Sequence, residues 1–273
     1  GLIDNSFRIE YNKSSDDYIG FVDVVKRKSD KELSQKQEKT LDMYMEDKIE
    51  GKNTGYKKFS PAPNGKELAE SFKYILLCTG SLEEKIATNP SISKDVYYKL
   101  MVRLKSIAHE NDLTILVRHH PNLGKIGCPV RSEKFLKGFQ EFVKDMNLPV
   151  IIISPESKCS TFMLIRKAQF IVAPYSTIFI DALYFGKTCF TLEGCYFGEL
   201  MGEYHLIDIL EKIDELKTVV EMQKQALKLK SKHIMCFLYN HYISSSIIVK
   251  GMTGLKSFEF TMDVKNGMSN IVY

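Results

Sequence analysis

Residues able to do chemistry gather in four short stretches of this chain. They are Thr79-Gly80-Ser81, Arg118-His119-His120-Pro121-Asn122, Ser154-Pro155-Glu156-Ser157 and Pro174-Tyr175-Ser176-Thr177. Together they offer hydroxyls, imidazoles, a guanidinium and a carboxylate. His119 and His120 can donate to a phosphate or leaving-group oxygen, and a protonated imidazole beside a pyrophosphate would offset developing charge. Arg118 can bind phosphate or pair with an acid such as Glu156, and Glu156 can read a nucleobase or sugar or face solvent. Ser176 and Thr177 open a helical stretch. A hydroxyl there caps the helix, and free backbone N–H groups beside it favour phosphate; a cap with no ligand is the alternative. Asp181, one turn further on, can accept from a ribose hydroxyl or stand on the surface.

Other chemistries lack their motifs. No G-x-x-x-x-G-K-[ST] phosphate loop occurs, no G-x-G-x-x-G follows the first strand, and no G-x-S-x-G elbow anchors a hydrolase triad. Ser15-Asp16-Asp17 precedes a strand-like run rather than following one. The six cysteines form no C-x-x-C pair and have no histidine pair at zinc spacing. Several lie in apolar runs, as Cys78 and Cys189 do, which reads as reduced core thiols in a cytosolic protein. No metal and no cofactor are expected.

What must position these stretches is a set of apolar runs, the first four of which each end at one of them. Short strands are expected at 73–78, 113–117, 149–153, 170–173 and 187–192. Helices are expected at 91–110, 133–146, 160–167 and 176–185, with one or two more within 206–250. Strands alternating with helices imply right-handed crossovers and a parallel sheet covered on both faces, and continuously apolar strands fit that burial. The expected fold class is therefore α/β, a Rossmann-like parallel sheet with helices on both faces. All four polar stretches then fall on one rim, at the carboxyl ends of the strands, where open α/β sheets bind ligands.

Residues 1–70 differ. They are rich in Lys, Asp, Glu and Ser, with one strand-like run at 18–22 and a weak helical stripe between 29 and 51 formed by Leu33, Leu41, Tyr44 and Met45. Residues 51–65 carry Gly and Pro and read as a linker. The expected organisation is a polar, partly helical segment over 1–70, a Rossmann-like domain over 71–250, and a tail over 251–273. The 273 residues are 44% hydrophobic and 26% charged, ordinary values for a globular protein. A net charge of +4 is too mild to point to nucleic acid and suits an anionic small ligand or peripheral contact with acidic lipid. No apolar run is long enough to span a membrane, and no signal segment opens the chain.

Two segments resemble a known family. The run 115–122, a strand leading into His120-Pro121, resembles the "HP" segment of bacterial capsule polysaccharide biosynthesis proteins. The run 168–187, a strand, a Ser/Thr turn and then Asp181-Ala182-Leu183 before Gly186-Lys187, resembles their second signature, although Asp181 stands where many relatives carry Glu. The family includes Kdo transferases that use CMP-Kdo, and teichoic-acid glycerophosphotransferases that use CDP-glycerol have a related pattern. The resemblance covers roughly residues 72–250. It implies the C-terminal, donor-binding half of a GT-B glycosyltransferase, with His120, Pro121, Ser176 and Thr177 lining the donor phosphate. The expected donor is a CMP-, CDP- or UDP-linked sugar and the acceptor a capsule or lipopolysaccharide glycan or a lipid-linked precursor. The expected location is cytoplasmic, peripheral on the inner face of the membrane. The candidate donor-binding set is Ser81, Arg118, His119, His120, Glu156, Ser176, Thr177 and Asp181, with the catalytic base unassigned. The rival readings are a non-catalytic scaffold module of a polysaccharide assembly complex, a polyol-phosphate transferase, and an enzyme of sugar-nucleotide metabolism such as an epimerase.

A GT-B reaction also needs an acceptor held against the donor and a base within hydrogen-bond reach. Residues 1–70 are too short and polar for a second α/β domain, so a partner domain is expected to complete the cleft. The 273-residue chain alone is accordingly expected not to transfer sugar at an enzyme-like rate. Incubation with candidate donors and lipid-linked acceptors checks this, and robust turnover would contradict it.

Overall fold

A computed structural model of the chain describes residues 6–7, 33–50, 72–80, 95–124, 130–147, 150–174, 176, 178–191, 235, 238–239, 247–248, 260–263 and 268–271. The strand-like run at 18–22, the linker at 51–65 and most of 206–250 lie outside these residues. Five strands form one sheet: β1 (Tyr74–Cys78), β2 (Thr114–Arg118), β3 (Val150–Ile153), β4 (Phe170–Val172) and β5 (Cys189–Phe190). Their order is β3-β2-β1-β4-β5 and every pairing is parallel. The fold is thus α/β and Rossmann-like. Short antiparallel pairings also join Ser6–Phe7 to Ile247–Ile248 and Phe260–Asp263 to Met268–Ile271.

The helices are α1 (Gln35–Ile49), α2 (Asp95–Glu110), α3 (Val130–Asp145), α4 (Thr161–Lys167) and α5 (Ile178–Tyr184). Strand alternation sends side chains to two separate cores. Ile75, Leu77, Ile115 and Val117 pack with α2 and α3 through Tyr97, Leu100, Met101, Leu104, Phe135 and Phe139. Tyr74, Leu76, Cys78 and Leu116 pack on the other face with Leu41, Tyr44 and Met45 of α1, Leu164 and Ile165 of α4, and Phe179 and Leu183 of α5. Three helices end on a residue in the left-handed region, Asp112, Asn147 and Gly186, which turns the chain into the next strand.

Helix α1 is a full member of this second layer. It begins with a capping box, in which the Ser34 hydroxyl accepts from the Gln37 N–H while the Ser34 N–H donates to Gln37 Oε1 at 2.9 Å. Its buried stripe is Leu41, Tyr44, Met45 and Lys48, spaced i, i+3, i+4, i+7. The last of these is charged. Lys48 Nζ lies 2.5 Å from Asp181 Oδ1, and both side chains are about 95% buried, at 5% and 6% exposure. The ammonium also sits 5.5 Å from the centre of the Phe162 ring. At the surface Tyr184 Oη donates to Asp42 Oδ1 at 3.0 Å, a second tie between α1 and α5.

A buried ion pair costs desolvation, but losing one partner leaves an uncompensated buried charge, typically at a cost of about 3–5 kcal/mol. Lys48→Met is therefore expected to lower the urea-unfolding free energy by about 3 kcal/mol. In a double-mutant cycle with Asp181→Asn, a coupling of about 1 kcal/mol or more is expected. Additive losses would show that the pair contributes nothing.

Candidate functional site

Because all five strands run the same way, their carboxyl ends form one rim. The chain steps from β1 outward to β2 and β3, then returns to the opposite side of β1 as β4. Strand order therefore reverses between β1 and β4, the place where open α/β sheets leave a crevice for a ligand. Thr79-Gly80 follows β1 and Pro174 to Ser176 follows β4, so these two loops flank the reversal. The 119–124 loop stands one strand away.

The β1 end is fixed by hydrogen bonds. Thr79 N–H donates to Arg118 O at 3.1 Å, extending the β1–β2 ladder. Gly80 N–H donates to Tyr97 Oη at 3.0 Å. Burial pushes the Tyr97 phenol up to about 12, so it stays protonated. At the β4 end, Ser176 Oγ accepts from Ile178 N–H at 3.3 Å and caps α5, and Ser176 itself is half-buried.

The two neighbouring histidines separate. His119 N–H makes the last β2–β3 contact, to Ile153 O at 3.2 Å. Its ring is 1% exposed, with Nδ1 3.1 Å from Thr79 Oγ1, and it stands edge-on to Phe135 and Phe139. Burial, and secondarily the Arg118 charge, lower its pKa to about 4. His119 is thus a neutral imidazole of the α2/α3 core at neutral pH. His120 is half-buried, where the chain leaves the sheet. A single 3-10 turn, Pro121–Leu123, then anchors the loop through the buried Leu123 side chain.

Arg118 turns to the opposite face and is 2% exposed. Its Nε reaches Thr161 Oγ1 at 3.4 Å, Nη1 donates to Ser154 O and Nη2 to Ser157 O at 3.3 Å. The guanidinium therefore braces the 154–161 segment against β2. Burial pulls its pKa down, while Cys78, Cys159 and Glu156 pull it back up. Glu156 is exposed. The 154–157 turn approaches the 119–124 loop so closely that a Cβ on Gly124 would stand 2.9 Å from Glu156 Oε1 and 3.1 Å from Pro155 Cβ. A side chain at 124 would displace the exposed Glu156 carboxylate and press on Pro155 by a few tenths of an ångström.

Of the residues expected at the site, His120, Glu156 and Ser176 lie on the rim loops. Arg118 and His119 lie beneath it with partners inside the protein, and Asp181 is buried against Lys48. Ser81 and Thr177 are outside the described residues. From the first polar stretch the candidate set took Ser81 rather than Thr79, and Tyr97, Gly124 and Lys48 were not singled out. The period of two was the available signal for two positions: Thr79 continues Ile75 and Leu77, as His119 continues Ile115 and Val117. Among the described residues, no three His, Cys, Asp or Glu side chains group to hold a metal, and no helix is long and apolar enough to cross a membrane.

No family model matches this chain, and no curated protein does. Solved structures do resemble it. A UDP-GlcNAc 2-epimerase from Neisseria meningitidis bound to UDP-GlcNAc aligns at TM-score 0.44 and 15% identity, over 74% of this chain and 50% of the epimerase. A beta Kdo 2,4 transferase from Thermosulfurimonas dismutans aligns at 0.36 and 14%, over 59% and 46%. The 2-epimerase of Methanocaldococcus jannaschii in complex with UDP-GlcNAc and UDP aligns at 0.35 and 21%, over 60% and 37%. The matched region spans half or less of the length of each of these proteins.

The folded-state pKa of His119, about 4, lies below its ordinary value of 6.5. Between those values the unfolded chain binds the proton more readily, so this residue makes stability fall as pH drops from about 6.5 to 4. His119→Asn, which does not titrate, is expected to lose that part of the acid sensitivity when unfolding free energies are compared at pH 7 and 5. An NMR titration in which the wild-type His119 ring protonates above pH 6 would contradict this placement.

Proposed function

We propose that this chain is the donor-binding part of a GT-B glycosyltransferase and takes a nucleotide-activated sugar at the carboxyl-end rim. The observation that carries the reading is the reversal of strand order between β1 and β4, with Thr79-Gly80 on one side and the Ser176 turn on the other. The two sequence segments that resemble capsule polysaccharide biosynthesis proteins, 115–122 and 168–187, supply the loops next to that crevice. Ser176 Oγ accepts from Ile178 N–H, which leaves its own O–H to donate to a phosphate oxygen. His120 is the imidazole placed to meet the pyrophosphate or leaving group, and Glu156 offers an exposed carboxylate for a base or sugar hydroxyl.

The finer reading follows from the family resemblance. The donor is CMP-Kdo or another CMP-, CDP- or UDP-linked sugar or polyol. The acceptor is a growing capsule or lipopolysaccharide glycan or its lipid-linked precursor, met at the inner face of the cytoplasmic membrane. No cofactor takes part. Arg118 and Asp181 serve by bracing the rim from beneath.

Calorimetry with CMP, CDP and UDP tests the proposal. At least one nucleotide is expected to bind at micromolar to millimolar concentration, and Ser176→Ala combined with Thr177→Ala to weaken it about tenfold. Losing the cap costs about 1 kcal/mol, which leaves a domain of this size folded. No heat from folded protein at millimolar nucleotide would overturn the reading. Conversion of free UDP-GlcNAc without an acceptor would replace it with sugar-nucleotide epimerisation.

A further inference from the structure

The side chains of Thr79 and His119 meet where β1 and β2 end. Alternation carries both toward α2 and α3: Thr79 after Ile75 and Leu77, His119 after Ile115 and Val117. Beyond the His119 N–H contact to Ile153, the next main-chain donor is satisfied by a side chain. The His120 N–H donates to Thr79 Oγ1 at 3.3 Å. The same hydroxyl meets His119 Nδ1 at 3.1 Å. One buried side chain, 1% exposed, thus grips the ring of His119 and the main chain of His120 together. Among the described residues His119 Nε2 has no hydrogen-bond partner, and the ring centroid lies 5.4 Å from Phe139 and 6.1 Å from Phe135. A ring bound at one nitrogen and enclosed by phenyl groups is not arranged to touch a ligand on the rim.

We propose that Thr79 and His119 form a buried strut that positions His120, with His119 acting through Nδ1 and not through Nε2. What His120 touches rests on the nucleotide reading above; the strut does not. The two roles of a histidine nitrogen can be separated by substitution. An Asn side chain is short and places its amide near the Nδ1 position, whereas Gln is longer and reaches toward Nε2. A strut through Nδ1 is rescued by Asn, while a contact through Nε2 is rescued by Gln. At Thr79 the near-isosteric pair is Val, which removes the hydroxyl, and Ser, which keeps it.

The experiment compares wild type with His119→Asn, His119→Gln, Thr79→Ser and Thr79→Val, by CDP and UDP calorimetry and by amide hydrogen exchange of His120 without nucleotide. His119→Asn and Thr79→Ser are expected to stay within about threefold of wild-type affinity, and His119→Gln and Thr79→Val to weaken it by about tenfold, the scale of one buried hydrogen bond. The His120 amide is expected to exchange about tenfold faster in Thr79→Val than in Thr79→Ser. Rescue by Gln rather than Asn, or a His120 amide indifferent to Thr79→Val, would overturn the strut. If neither nucleotide binds wild type, the nucleotide reading fails, and the exchange comparison alone still decides the strut.

Discussion

Strand β1 is buried at every residue from Tyr74 to Cys78, and that constraint shapes the rest of the structure. A parallel strand with neighbours on both sides must be covered on both faces, because its backbone is fully used in ladders while its side chains point both ways. Helices α2 and α3 cover one face. The other face is covered by α1 as well as α4 and α5, since Leu41, Tyr44 and Met45 belong to the same buried cluster as Leu76 and Ala173. A helix from the polar N-terminal segment thus completes the core of the sheet that follows it.

The same burial dictates what happens to polar groups near the rim. Arg118, His119, Asp181 and Thr79 all lie deep, and each is met from within the protein: Arg118 by two carbonyls and a hydroxyl, His119 by Thr79, Asp181 by Lys48. These contacts fix the ends of the strands relative to one another. The loops above them, with His120, Glu156 and Ser176, are then held by a rigid base, the arrangement that lets a rim present groups to a ligand without ordering them at the moment of binding.

The sheet was legible in the sequence because buried parallel strands are written as short apolar runs, as Tyr74-Ile75-Leu76-Leu77-Cys78 and Val150-Ile151-Ile152-Ile153 are. Helix α1 was legible only as a weak stripe, since its fourth inward position is Lys48, a residue that ordinarily faces water. Its partner Asp181 is 133 positions away, so no local pattern reveals the pair. Asp181 consequently looks like a free acid one turn into a helix. The two histidines read as a matched pair, but a period of two divides them: His119 continues the strand inward, and His120 begins the loop. Gly124 was silent for a different reason. Its crowding comes from the 154–157 turn, which another part of the chain brings within contact distance.

In the proposed function a nucleotide lies across the reversal between β1 and β4. Chemical-shift mapping of the labelled protein during titration with CDP or UDP tests it most directly. The largest amide shifts should fall at Gly80, His120 and Ser176, all on the carboxyl-end rim. Shifts concentrated instead at Lys73, Leu113 and Gln169, at the opposite ends of the strands, or none at a nucleotide concentration that saturates binding, would contradict it.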